Sequence, residues 1–204
     1  MKIVILGSHG TGKTTLTRQL FNYLKEEYGV KIGITGSHGT GKTTLSKLLA
    51  GRLKWRYLPE APAQALIKGF DLNENTSLES ELWIIAKQLE MEMLTPQPWI
   101  ADKCMIDILA YACYLFPKDK DLLSLTARAF KPHMNYDMVI YLPCGEFPIE
   151  DDGFRSTDPV FQEMIDEYIL MVMKKAKIDF HKIIGSPEER FRKAKKLIDE
   201  KIRR

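Results

Sequence analysis

The decapeptide GSHGTGKTTL occurs twice in this chain, at residues 7–16 and again at 36–45. Both copies satisfy G-x-x-x-x-G-K-[ST], through Gly7, Gly12, Lys13 and Thr14 and through Gly36, Gly41, Lys42 and Thr43. A β-rich run precedes each copy (residues 2–6 and 30–35). Leucines at helical spacing follow each, at Leu16, Leu20 and Leu24 and at Leu45, Leu48, Leu49 and Leu53. A strand that turns through a glycine-rich loop directly into a helix is compatible with few folds. The glycines let backbone N–H groups converge on an anion, and the helix start adds its positive dipole end. Lysine supplies a mobile cation for β- and γ-phosphates, and the threonine hydroxyl is a magnesium ligand. In the second copy the expected nucleotide-binding residues are Gly36, Ser37, His38, Gly39, Thr40, Gly41, Lys42, Thr43 and Thr44. His9 and His38 read as loop filler rather than as catalysts.

The repeat extends beyond the loop. Residues 2–29 aligned on 31–58 share 17 identities in 28 positions, so the repeated object is the whole strand–loop–helix unit. The remainder of the chain occurs once. Residues 55–60 (WRYLPE) read as a strand ending in an acid, and TSLE at 76–79 as a capping box with Thr76 as N-cap and Glu79 reaching back. The helix after it is expected to bury Leu78, Leu82, Ile85, Leu89 and Met93. PWIAD (98–102) is a strand ending in Asp102, with a helix behind it. DMVIYLP (137–143) is a buried strand, residues 160–175 a helix, FHKIIGS (180–186) a last strand, and Pro187 opens the final helix. Strands alternating with helices predict an α/β fold, a mostly parallel sheet with helices on both faces.

Composition narrows the partners. A net charge of +3 with 28% charged residues argues against DNA or RNA as ligand. Eight basic residues between Arg190 and Arg204 outnumber the four acids of residues 188–204, and they read as a solvated helix face. Cys104, Cys113 and Cys144 lack paired spacing, so neither a disulfide framework nor a zinc site is expected, and a reducing, cytoplasmic compartment fits. No 18-residue apolar run suggests a transmembrane segment, and MKIVIL is too short for a signal peptide.

Transfer of a phosphoryl group needs a carboxylate for the metal or the acceptor hydroxyl, cations over the transferred group, and an acceptor pocket. In open α/β sheets such groups gather at strand ends. Glu60 and Asp102 stand at two of them, Asp102 suited to magnesium and Glu60 to an acceptor hydroxyl. Each has an alternative reading as an acid capping the next helix. Arg155, in DDGFRSTD, lies in the segment best suited to cover phosphate, and as a lone arginine it reads equally as surface charge.

Together, ITGSHGTGKTTL (34–45), YLPEAP (57–62), DKCMIDILAY (102–111), DGFRSTD (152–158) and GSPEER (185–190) resemble the P-loop nucleoside and nucleotide kinase-like family of AAA-type ATPases, which includes ribosylnicotinamide kinase domains. The resemblance covers residues 31–204 and implies a nucleotide-kinase-like P-loop NTPase fold using ATP and Mg2+. It implies that Lys42 and Thr43 hold triphosphate and metal, and that Asp102 is the metal-linked acid. Glu60 would face the acceptor, Arg155 would belong to a lid, and Gly185, Ser186 and Pro187 would lie beside adenine. The chain departs from the family pattern at three places: Ala63 and Gln64 replace an arginine after PEA, Lys103 replaces one after Asp102, and Gln162 another.

Because the downstream parts occur once, only one loop can share a site with them, and the second copy joins directly to RYLPE. The expected division is therefore a duplicated unit at 1–30 and a kinase-like domain at 31–204. The opposite register, with the second unit looped out, costs only about 3 kcal/mol in closure entropy. The extra strand is expected to add to a sheet edge or to be exchanged with a second copy in a homodimer. Two functions follow: ATP- and magnesium-dependent phosphoryl transfer to a nucleoside, nucleotide or similar small hydroxyl compound, or a nucleotide-binding regulatory module without kinase activity.

Overall fold

The computed structural model describes Leu16 and residues 29–70, 74–149 and 156–202. The first loop with Lys13, the rest of the first repeat unit, and Arg155 lie outside the described residues. Among the described residues five strands form one parallel sheet: β1 (Lys31–Thr35), β2 (Arg56–Leu58), β3 (Trp99–Asp102), β4 (Met138–Tyr141) and β5 (His181–Lys182), in the order β2-β3-β1-β4-β5. The described helices are α1 (Lys42–Leu53), α2 (Ala61–Ile67), α3 (Leu78–Leu94), α4 (Met105–Leu115), α5 (Lys120–Phe130), α6 (Pro159–Ala176) and α7 (Pro187–Ile202).

Alternation along the strands distributes the core between the two faces. Ile32, Ile34, Ile100 and Ile140 point to one side, where Leu45 and Leu49 of α1 and Ala194 and Ile198 of α7 cover them. Trp99, Ala101, Val139 and Tyr141 point to the other, against Ile106 and Ala110 of α4 and Phe161, Ile165 and Ile169 of α6. A third cluster joins α2, α3, α4 and α5 through Ala61, Ile84, Ile108, Leu122 and Phe130. The second repeat unit thus supplies the central strand. β1 lies between β3 and β4, and the chain leaves β1 and β3 toward opposite faces, which opens a crevice at their C-terminal ends.

The structure corrects several local expectations. The N-cap of α3 is Ser77, not Thr76: its side chain accepts from the Ser80 amide. The buried stripe of α3 is Ser80, Glu81, Ile84, Ile85, Gln88 and Glu92, while Leu78, Leu82 and Met93 are exposed. Leucine spacing pointed at the wrong face because this helix packs with four polar side chains inward. The strand expected to reach Glu60 ends at Leu58, and Glu60 becomes the residue before α2, with Pro62 in its first turn. The short α2, and α5 with its Asp119 cap on the Leu122 amide, were not expected at all. No described helix is long and apolar enough to cross a membrane.

Candidate functional site

Parallel pairing brings the strand ends together. Ile34 of β1 stands opposite Asp102 of β3, and Leu58 of β2 opposite Ala101. The loop after Thr35, Asp102, and Glu60 two residues beyond β2 therefore emerge side by side.

The loop is held from beneath. The Gly36 amide donates to Asp107 Oδ1 at 3.1 Å, and the Cys104 amide donates to Oδ2 of the same carboxylate at 2.9 Å. Asp107 is fully buried in the first turn of α4. Gly36 has φ +148°, and a Cβ there would lie 2.2 Å from the Leu142 carbonyl oxygen. Gly36→Ala is therefore expected to displace the loop or β4 and to lower triphosphate affinity by about 100-fold or more, as for loss of several anion-binding amides. Wild-type affinity in calorimetry of this variant would contradict the requirement. At the far end Gly41, at φ 83°, begins α1, whose first turn carries no acid to neutralise its dipole end.

Two side chains grip the loop from above. Arg190 donates through Nη1 to the Thr40 carbonyl at 2.6 Å and through Nε to the Gly185 carbonyl at 2.8 Å, and its guanidinium lies over the Phe147 ring. Arg190 is buried, so one member of the basic C-terminal run is no solvated charge. Gln162 donates to the His38 carbonyl at 2.7 Å. His38 is itself buried, with Nδ1 3.2 Å from the Tyr111 hydroxyl.

Lys42 is buried and donates back into its own loop, to the Ser37 carbonyl at 2.5 Å. Burial and the Lys103 charge lower its pKa to about 8, against the opposing pull of Asp107, Asp102 and Glu60. Asp102 accepts from the Tyr57 hydroxyl at 2.9 Å. Burial and the Glu60 charge raise its pKa, and the Thr43 hydroxyl and Lys42 oppose that rise. Its Oδ1 is buried without a partner in hydrogen-bonding geometry. The Glu60 side chain does not cap α2. Its carboxylate lies 3.6 Å from Lys103 Nζ, which sits 4.6 Å over the Tyr111 ring. Lys103 holds φ 67°, a strained backbone for a lysine, at the turn out of β3. Lys42, Lys103, Glu60, Asp102 and Asp107 are thus one coupled cluster at the sheet edge.

A cavity of about 470 Å³ opens on the other side of the loop, between Gly39, Gly41, Thr44, Phe147, Pro187 and Arg190. Of the three residues expected beside a base, Pro187 lines it. Gly185 and Ser186 do not; they hold the turn, their amides donating to Glu146 and Glu189.

Sequence reading did not single out Asp107, Tyr57, Arg190 or Glu81. Asp107 and Arg190 stand inside the quoted stretches DKCMIDILAY and GSPEER, which was the available signal. Glu81 and Glu92, on the buried face of α3, had none. Glu92 accepts from the Met105 amide, the Tyr136 hydroxyl and Gln88. Burial raises Glu92 to about 7 and Glu81 to about 8, above the ordinary 4.5. An acid raised on folding stabilises fully below its unfolded value and loses that contribution as pH rises through the folded one. The melting temperature is therefore expected to fall between about pH 5 and 8, with Glu92→Gln flattening the lower part of that decline. A melting temperature that rises over this range in both proteins would be the opposite sign.

A family model described as an AAA domain matches residues 31–190. No curated protein matches the chain. Among solved structures, NadR in complex with NAD and AMP-PNP is similar at TM-score 0.70 and 16% identity, over 94% of this chain and 55% of that one. The chain thus spans little more than half the length of the NadR chain it matches. Thymidylate kinase from Candida albicans follows at TM-score 0.61 and 18% identity, over 85% of this chain and 92% of that one. Deoxyadenosine kinase from M. mycoides, with its products bound, gives 0.55 and 17%, over 85% and 98%. At these identities the likeness is one of fold.

Proposed function

Since the chain belongs to the AAA-domain family matched over residues 31–190, we propose that it transfers a phosphoryl group from ATP to a nucleoside, nucleotide or similar small hydroxyl acceptor. The observation that carries this reading is the convergence of Lys42, Asp102 and Glu60 at the C-terminal ends of neighbouring strands, beside the phosphate loop. The unit at 31–204 would then be the working domain and residues 1–30 an addition to it.

In this reading the triphosphate takes the loop amides, and its oxygens replace the Ser37 carbonyl as partners of the Lys42 ammonium. The base enters the cavity beside Pro187 and Phe147. Arg190, which donates to the Thr40 and Gly185 carbonyls and keeps Nη2 without a hydrogen bond 3.7 Å from Glu146, holds the loop closed. The residues fit a magnesium ion: Asp102 keeps a buried oxygen without a hydrogen bond, and the Thr43 hydroxyl is close to the same carboxylate. Among the described residues no group of three or more His, Cys, Asp or Glu could form a complete metal cage. Magnesium, which usually retains water and phosphate oxygens as ligands, asks for no such cage. The ion would supply charge neutralisation on the phosphates when bound. Glu60 would accept the proton of the acceptor hydroxyl, and Lys103, 3.6 Å from its carboxylate, would hold it in position. Arg155 would close over the transferred group.

The test is steady-state product formation from Mg-ATP over a panel of nucleosides and nucleotides, with Asp102→Asn beside the wild type. Product from at least one acceptor, reduced about 100-fold or more in Asp102→Asn, is the expected result. Tight triphosphate binding in calorimetry with no product from any acceptor would instead select a nucleotide-binding switch.

A further inference from the structure

Side chains hold three carbonyls of the phosphate loop. The Ser37 carbonyl is held from within the loop, by Lys42 Nζ and by the Thr40 hydroxyl, which donates at 2.9 Å. The His38 and Thr40 carbonyls are held from outside it. Gln162 Nε2 of α6 donates to the first at 2.7 Å, and Arg190 Nη1 of α7 to the second at 2.6 Å. These two outside grips fall on the peptides that lead into Gly39 and Gly41. Both glycines have positive φ, 72° and 83°, and Thr40 between them does not. Such alternation turns successive N–H groups toward one concavity suited to an anion.

A peptide that runs into glycine turns over easily, because glycine tolerates either sign of φ. Turning over exchanges the sides of its C=O and N–H, which lie on opposite edges of a planar trans unit. An anion needs the N–H, and a flipped peptide offers it an oxygen. Whatever holds the carbonyl therefore also aims the amide. Several contacts from α6 fasten residues 37 and 38. Gln162 is 4% exposed, and a Cβ on Gly39 would lie 3.3 Å from its Nε2. The Phe161 ring lies 5.6 Å from that of His38. Asp166, one turn along, accepts from the Ser37 hydroxyl at 3.5 Å and from the Tyr141 hydroxyl.

We propose that Gln162 is a positioning residue for triphosphate binding: by holding the His38 carbonyl it turns the Gly39 amide toward the phosphates. Arg190 does the same for Gly41. The proposal rests on the reading that the 36–43 loop takes the triphosphate.

The experiment measures Kd by calorimetry for magnesium tripolyphosphate and for Mg-AMP-PNP, in the full chain, in Gln162→Met and in Lys42→Ala. The amide NMR signals of Gly39 and Gly41 are followed as tripolyphosphate is added. Methionine matches glutamine in length and lacks the donor, and Lys42→Ala identifies the binding that belongs to this loop. Gln162→Met should weaken both ligands by the same factor, about 10-fold, the scale for leaving one buried acceptor unpaired. In the wild type both glycine amides should move downfield. In Gln162→Met the Gly39 shift should shrink while the Gly41 shift stays. A role confined to packing would lower the melting temperature and leave Kd and the Gly39 shift as they were. Wild-type affinity in Gln162→Met, or a loss seen with AMP-PNP but not with tripolyphosphate, overturns the proposal. So does a Gly41 shift lost together with that of Gly39. A wild-type Gly39 amide that ignores the ligand overturns it without any variant having to fold. Binding lost in Lys42→Ala but kept in Gln162→Met sinks the assignment of Gln162 alone. No tripolyphosphate binding in the wild type sinks the phosphate-loop reading with it. The expected binding pattern without product from any acceptor removes the kinase reading and leaves Gln162 in its role.

Discussion

Lys42→Ala is expected to lower phosphoryl transfer by about 1,000-fold, the scale for removing a preorganised cation from developing phosphate charge. Lys13→Ala, in the identical decapeptide, is expected to leave the rate within about twofold. The contrast rests on neighbours rather than on the loops, whose ten residues are the same. Lys42 follows the central strand and is coupled to Asp102, Asp107, Glu60 and Lys103. The measurement is steady-state turnover of both variants with the best acceptor of the panel. Loss in Lys13→Ala with activity retained in Lys42→Ala would assign the chemistry to the first copy.

A second large effect is expected on stability. Asp107→Ala strips the acceptor from two backbone amides, Gly36 and Cys104, in a fully buried place. Each orphaned donor costs about 1–3 kcal/mol, so the loss is roughly 4 kcal/mol. For a chain of this length that is about 10 °C in melting temperature. Asp107→Asn should recover part of it, since its one carbonyl oxygen can serve one amide while its NH2 opposes the other. Loss of the Asp107 charge also removes the first of the interactions that raise the Lys42 pKa, so the ammonium weakens further. A melting temperature within about 2 °C of wild type in Asp107→Ala would show that water or a neighbour replaces the carboxylate.

The parts written as contiguous patterns were legible in advance. Strand, loop and helix at 31–53 are encoded by neighbouring residues, and β3, β4, α4, α6 and α7 appear within a residue or two of expectation. Where local chemistry offered two near-equal solutions, expectation failed. Thr76 and Ser77 are both capable caps, and only the path of the chain into α3 chose Ser77. α3 displays a leucine row and a mixed polar row, and packing against α2 and α4 buried the second. Arg190 looked like one charge among many until α7 docked it on the Thr40 carbonyl.

From its sequence alone this chain declares an α/β fold with a phosphate loop, because glycine spacing and strand–helix alternation act over a few residues and need no distant partner. It also names Asp102 and Glu60 as candidates, because strand ends are marked by where apolar runs stop, although β2 stops at Leu58, two residues short of Glu60. Tertiary structure alone decided that the 36–43 loop follows the central strand, that Asp107 holds the Gly36 amide, and that Glu81 is buried with one oxygen unpaired. Those facts depend on which amides, carbonyls and charges meet across 50 residues or more of chain, as Gly36 and Asp107 or Thr40 and Arg190 do. Burial then sets their energies, and burial belongs to the folded assembly rather than to any stretch of residues.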